Sequence, residues 1–369
     1  MIVDCDTHII ESEEMWDLLD GSLTRRRPVI VRVPEDTYFG DRNAFWLVDG
    51  HIHPRPAGRA SFRLHTPADA AFEVRRTDTR RECRELTDVK ARLEDMDKLG
   101  VDVQVVYPTF FLGHVTDDPA LHTGLCRAYN EWMARVSDES GGRIRWVVMP
   151  PLYSPSDIAA ELAAGKQHGA VGVFMHGSED QGTAANAAYF PLYEQARVLD
   201  LPICIHAGNG SAMIQDTFGA SYSNHAVVAA FQDLIVNSVP EEFPGLRFGF
   251  IEAGSSWLAT VFHSLARLRM ARSPRAGRFF SRDAPSPADL MAEYRLYVAC
   301  EADEDLAYIL GDCESANILI GSDYGHVDPA FEEKMTDALL LHDDVDHGVL
   351  QNILSDNPAR FYGIQHSDH

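Results

Sequence analysis

Cysteine is scarce in this chain and its spacing is wide. Six occur in 369 residues, at positions 5, 83, 126, 204, 300 and 313, and no two form a CxxC. A disulfide framework is not expected, and all six read as reduced, mostly structural thiols of a cytoplasmic protein. No run of about 18 apolar residues is present, which argues against a transmembrane helix. The N-terminus lacks the basic-then-apolar pattern of a secretory leader. Positive charge is short: 32 Lys and Arg stand against 56 Asp and Glu, for a net charge of −24. Such a surface repels nucleic acid and anionic membranes, leaving a small molecule as the expected partner. No GxGxxG follows the first strand, which counts against a dinucleotide fold. Internal repeats and low-complexity tracts are missing too.

What remains is ordinary in composition and regular in pattern. The hydrophobic fraction is 45% and the charged fraction 24%, as in soluble globular proteins. Apolar strand-like runs fall at 2–11, 101–109, 143–150, 170–176, 201–206, 246–252, 294–300 and 317–322. Amphipathic or capped helical segments separate them, at 88–99, 121–137, 154–168, 191–199, 223–238, 255–272 and 303–310, with C-terminal helices at 329–341 and 346–354. Ser154 is an expected N-cap and Gly100 an expected helix stop. Several strands are continuous apolar runs, the mark of a parallel sheet buried on both faces. An eightfold strand–helix alternation over this length predicts an α/β TIM (β/α)8 barrel, one domain over 1–369.

Residues 21–80 break the rhythm. They are rich in Arg, Pro, Gly and aromatics, and Asp49-Gly50 and Pro54-Arg55-Pro56 are turn signals. We read them as an insertion after strand 1, lying over the barrel mouth, with a hairpin from Ala44–Val48 and Ser61–Leu64. Its aromatics (Tyr38, Phe39, Phe45, Trp46, Phe62) either stack on a planar substrate or anchor the flap. His51-Ile52-His53 has metal-pair spacing but sits in this insertion, so it is assigned to a lid or surface hairpin.

In such barrels chemistry gathers at the C-terminal strand ends. Strand 1 carries Asp6 and His8, two apart and so on one side. Strand 4 ends with His176, strand 5 with His206, strand 6 with Glu252, strand 7 with Glu301, and strand 8 with Asp323. Each has a plain alternative: Glu252 and Asp323 as caps, His206 as a core histidine, His176 as a wall residue, Glu301 as a solvated helix start. Taken together, suitable groups at the ends of strands 1, 5, 6 and 8 are hard to explain as independent caps. A carboxylate and imidazoles meeting there can bind a divalent cation. His225 and His326 are further candidate pocket residues.

The motifs Asp4-Cys5-Asp6-Thr7-His8, Phe250-Ile251-Glu252-Ala253-Gly254, Gly321-Ser322-Asp323-Tyr324-Gly325-His326 and Asp356-Asn357-Pro358-Ala359-Arg360-Phe361 resemble the amidohydrolase-related family typified by aminocarboxymuconate semialdehyde decarboxylase. The resemblance runs along the whole length. It implies a distorted TIM barrel with an insertion after strand 1 and C-terminal helices. It implies one divalent metal ion held by Asp6, His8, His206 and Asp323, either zinc or manganese, and commonly a homodimer. Strand 1 has Asp-x-His where the typical decarboxylase has His-x-His; the extra carboxylate favours a harder ion such as manganese. Glu252 stands where relatives carry a histidine, and the superfamily's bridging lysine on strand 4 is absent. Expected catalytic groups are Asp323, Glu252 and His206, with His176, Trp46, His225 and His326 as substrate contacts. The implied reaction is decarboxylation or hydrolysis of a small aromatic or cyclic carboxylate or amide. A heterocycle-forming cyclase and an inactive binding barrel are the alternatives.

Overall fold

Strands rich in Val, Ile and Phe cannot leave either face in water, and here helices cover the outside while neighbouring strands fill the inside. β1 (Val3–Ile9), β2 (Val103–Pro108), β3 (Ile144–Val148), β4 (Ala170–His176), β5 (Ile203–His206), β6 (Phe248–Ile251), β7 (Leu296–Cys300) and β8 (Ile318–Ile320) form one eight-stranded parallel sheet in chain order. Beyond the end of β8 the sheet meets β1. Asp323 N donates to Asp6 O at 2.9 Å and His8 N to Tyr324 O at 2.6 Å. The result is a distorted TIM (β/α)8 barrel. This computed structural model describes residues 1–34, 36–37, 44–53, 79–208, 210, 223–270, 278–281, 283–326 and 332–365.

The helices form where the sequence predicts them, with local differences. In Val89–Leu99 the Asp88 side chain caps Ala91 N, and Gly100 ends the helix at φ 69°. Ser154 precedes Pro155–Gln167 but makes no cap bond. Its hydroxyl pairs instead with Thr123 Oγ1 at 2.8 Å. The expected C-terminal helix at 329–341 is reduced to Met335–Leu339, while residues 327–331 lie outside the described residues. An additional helix, Asp356–Tyr362, is locked to the barrel through Tyr362, whose hydroxyl donates to Cys5 O at 2.8 Å. All six cysteines are free. Among the described residues no helix is long and apolar enough to cross a membrane.

The insertion contributes a three-stranded antiparallel sheet of Val29–Arg32, Ala44–Val48 and His51–His53. Asp49 and Gly50 both have positive φ, as a two-residue hairpin turn requires. Ala44–Val48 therefore pairs with His51–His53 rather than with Ser61–Leu64, which lies outside the described residues, as do Tyr38, Phe39, Phe62 and Pro54-Arg55-Pro56. Trp46 is 2% exposed and packs edge-on against Trp16 and Phe110. Burying an indole is worth roughly 4–6 kcal/mol, against about 1 kcal/mol for stacking on a ligand ring. Of the two roles expected for Trp46, substrate contact and flap anchor, this packing supports the anchor. His53 is buried as well and donates Nε2–H to Phe110 O at 2.7 Å, whereas His51 is exposed.

Candidate metal centre

Three polar side chains interrupt the apolar run of β1 at alternate positions, Asp4, Asp6 and His8, all buried. Period-2 geometry puts Asp6 and His8 on one face, while the register with β2 shifts between Asp4 and Thr7 and sets Asp4 apart from them. Asp4 clamps the barrel seam: its carboxylate accepts Ser322 N at 2.8 Å and Ser322 Oγ at 2.5 Å. Burial pushes the Asp4 carboxyl up to about 7. Gly321 makes the seam possible, because a Cβ there would lie 2.2 Å from Asp6 Cβ. The clamp brings Asp323 across to Asp6 and His8.

His8 Nδ1 lies 3.2 Å from Pro108 O. A carbonyl only accepts, so Nδ1 carries the proton and a neutral ring leaves Nε2 bare. Burial lowers the His8 pKa, which favours that neutral ring. Nε2 has no hydrogen-bond partner. It faces Asp6 Oδ1 and Asp323 Oδ1, each at 3.4 Å. His206 repeats the arrangement. Its Nδ1 faces Ala207 O at 2.8 Å and Glu252 Oε2 at 3.1 Å, and its Nε2 lies 3.3 Å from Asp6 Oδ1. Two lone pairs and two carboxylates facing one another repel unless a cation lies between them. The donor set of two imidazoles and two carboxylates fits a zinc or manganese ion.

Two groups with metal-ligand spacing occur here, Asp6/His8/His206 and His8/Asp323/His326. Both need the same His8 Nε2, so they describe one cation and not two.

Glu252 and Asp323 have φ of 56° and 54°. The left-handed region costs an L-residue about 1–2 kcal/mol, so both strand ends hold backbone strain of the kind concentrated at functional sites. The loop that follows Glu252 is fixed by Glu304, whose carboxylate accepts Ser255 N at 2.9 Å, Ser256 N at 2.6 Å and Glu301 N at 3.0 Å. Asp6, Glu252, Glu301 and Asp323 line one cleft of about 280 Å³.

The expected substrate contacts fare differently. His326 is 1% exposed, stacks on His8 at 3.6 Å, and places Nδ1 2.7 Å from Asp323 Oδ1. Its Nε2 meets Thr109 Oγ1 at 2.9 Å, and Glu11 in turn accepts Thr109 N at 3.0 Å and Phe110 N at 2.8 Å. It is thus placed to brace Asp323, a contact that its expected role in the pocket did not include. His225 is exposed in the first turn of the helix Ser223–Val236 and lines neither this cleft nor the larger cavity beside it. His176 does line that larger cavity, of about 580 Å³.

Sequence reading missed Asp4, Glu11, Thr109, Glu304 and Arg92. Arg92, in the middle of its helix, is fully buried and donates Nε to Gln104 Oε1 at 2.6 Å and Nη1 to Cys83 O at 3.0 Å, with its guanidinium 3.8 Å over the Tyr324 ring. Each acts through a partner far away in sequence, which no local pattern marks.

A parallel barrel with a cation-binding cluster of His and Asp at its strand ends is the architecture of a metal-dependent α/β-barrel enzyme. The comparisons specify the family. Residues 3–364 match the amidohydrolase family (Amidohydro_2), and the chain belongs to it. Among similar solved structures, an amidohydrolase from Mycobacterium avium subsp. paratuberculosis K-10 is 18% identical with a TM-score of 0.75, covering 99% of this chain and 98% of that one. A 5-carboxyvanillate decarboxylase from Sphingomonas paucimobilis is 16% identical with a TM-score of 0.66, covering 99% of both chains. A dihydroxybenzoic acid decarboxylase from Polaromonas sp. JS666, with bound manganese and 2-nitroresorcinol, is 14% identical with a TM-score of 0.62, covering 100% of this chain and 98% of that one. No curated protein matches the chain.

Proposed function

We propose that the protein is a mononuclear divalent-metal enzyme that removes carbon dioxide from a small aromatic carboxylate. The observation that carries this is the pair of imidazoles, His8 and His206, whose Nδ1 atoms are committed to carbonyls while both Nε2 atoms face buried carboxylates. Asp6, His8, His206 and Asp323 would hold the ion, zinc or alternatively manganese. When bound, it supplies Lewis acidity toward a substrate oxygen.

The remaining work falls to the protein. Loss of carbon dioxide leaves the electron pair of the broken C–C bond on a ring carbon, which must take up a proton. Asp323 and Glu252 are the carboxylates of the cleft suited to carry it, and both are set by strained backbone. Thr109 and His326 keep Asp323 oriented. Decarboxylases among similar folds support this reading. The family match supports hydrolysis of an amide or ester as a second reading, with Glu252 as the base that takes a proton from water.

The test is elemental analysis joined to an assay of carbon dioxide release from hydroxybenzoates. About one zinc or manganese per chain is expected, with activity lost to chelator and restored by the ion. His206→Ala and Asp323→Asn should each lower kcat/KM by roughly 10³-fold or more. Turnover of anilides or lactones without carbon dioxide release moves the assignment to hydrolysis. A protein that neither holds nor takes up a cation overturns both.

A further inference from the structure

Arg92 lies in the helix Val89–Leu99 that precedes β2, and it is fully buried. Its side chain reaches three strands of the barrel. Nε donates to Gln104 Oε1 on β2 at 2.6 Å, and Nη1 donates to His8 O on β1 at 3.4 Å. The guanidinium carbon stands 3.8 Å from the centre of the Tyr324 ring, just beyond the end of β8. Among the described residues no acid is a hydrogen-bond partner of Arg92, and Nη2 has no hydrogen-bond partner at all. A guanidinium buried against an amide, two carbonyls and a ring face is a costly way to anchor one helix, where an apolar side chain would serve.

Two of its contacts belong to the strand ends that carry the cation cluster. One is the carbonyl of His8 itself. The other is Tyr324, the residue after Asp323, whose φ is 54°. A residue keeps such a conformation only where its surroundings over-determine it. Tyr324 is fixed at three points: its O accepts His8 N at 2.6 Å, its hydroxyl donates to Asp95 Oδ2 at 3.0 Å, and its ring face lies against Arg92. One side chain thus grips the ends of β1 and β8 together.

We propose that Arg92 is a positioning residue for the metal: through the Tyr324 ring and the His8 carbonyl it holds His8 Nε2 and the Asp323 carboxylate at ligand spacing. It acts from behind the ligands and sets how tightly the ion is held. Groups that orient metal ligands in this way are worth about 10–100-fold in affinity. The proposal rests on the assignment of Asp6, His8, His206 and Asp323 as the metal site.

Calorimetric titration of the metal-free protein with MnCl2 tests it without turnover. Arg92→Met keeps the stem and removes the fork, and it should weaken Mn2+ binding by about 10–100-fold. Tyr324→Leu should bind Mn2+ at least about fivefold more weakly than Tyr324→Phe, which keeps the ring. Arg92→Met and Tyr324→Leu combined should fall well short of the product of the single effects, because both remove one contact. Leu162→Ala, a truncation of a buried residue in the helix Pro155–Gln167, should lower Tm and leave Mn2+ affinity unchanged. Wild-type affinity in Arg92→Met, equal affinity in the two Tyr324 variants, multiplicative effects, or an equal loss in Leu162→Ala overturns the proposal. Should Arg92→Met fail to fold, Arg92→Lys replaces it: one ammonium cannot serve Gln104, His8 and the ring together, so wild-type affinity there overturns the proposal as well. A wild-type protein that takes up no Mn2+ overturns the metal assignment and this inference together, whereas unchanged affinity in the Arg92 variants overturns this inference alone.

Discussion

Gly321→Ala asks whether the barrel seam sets the metal centre. An added Cβ would stand 2.2 Å from Asp6 Cβ, 2.9 Å from Asp6 N and 3.0 Å from Asp6 Cα. Ordinary contact begins near 3.4 Å, so the two strands must separate by about 1.2 Å. No flexible side chain can absorb this, since the obstacle is backbone and Cβ. Overpacking of this kind costs roughly 1–3 kcal/mol, which in a chain of this size lowers Tm by roughly 1–4 °C. The larger effect is on the cation, whose ligands must lie at about 2.0–2.2 Å; a displacement of about 1 Å removes Asp6 or Asp323 from reach. We expect Gly321→Ala to fold with a modestly lower Tm, to lose most of its metal on dialysis, and to lose roughly 10²-fold or more in activity. Circular dichroism, metal analysis and turnover measured on one preparation check the three parts. Wild-type Tm together with full metal content would refute the reasoning, because the seam would then tolerate what its geometry forbids.

Glu252→Gln separates proton transfer from metal binding: metal content should stay at the wild-type level while kcat falls about 10²–10⁴-fold, and loss of metal along with activity would make Glu252 a ligand instead. The flap should respond to acid through His53, whose pKa burial pushes down to about 4. A folded pKa below the unfolded value near 6.5 means that the folded state binds fewer protons between these limits. Its contribution is therefore complete above about pH 6.5 and is lost as pH falls toward 4, by up to roughly 3 kcal/mol. Hydrogen exchange of the Ala44–His53 amides, corrected for intrinsic rates, should quicken at pH 5 relative to pH 7. His53→Gln keeps a donor for Phe110 O without titrating, so it should remove that dependence.

Strand ends were legible in the linear chain because period and composition are local. Apolar runs bounded by turns mark strands, and the first polar residue after each run marks the rim; Asp6, His8, His206, Glu252 and Asp323 follow from that alone. The ordering of eight strands follows as well, since alternation with helices leaves a parallel barrel as the simplest closure. Periodicity assigns a side chain to a face but not to a depth or a neighbour. His326 and His225 look alike as histidines following a strand, yet one is packed behind Asp323 and the other is exposed in the first turn of a helix. Trp46 looks like a stacking residue until Trp16 and Phe110 enclose it.

Tertiary structure alone decided the contacts that cross the seam. Asp4 meets Ser322 across 318 positions of sequence, and Thr109 meets His326 across 217. Each contact exists because barrel closure brings the last strand against the first two, and no local propensity encodes a partner so far away. The sequence by itself determined the barrel and the polar residues that end its strands. Folding determined which nitrogen of His8 faces the carboxylates, because that depends on the Pro108 carbonyl, which only the pairing of β1 with β2 sets against the ring.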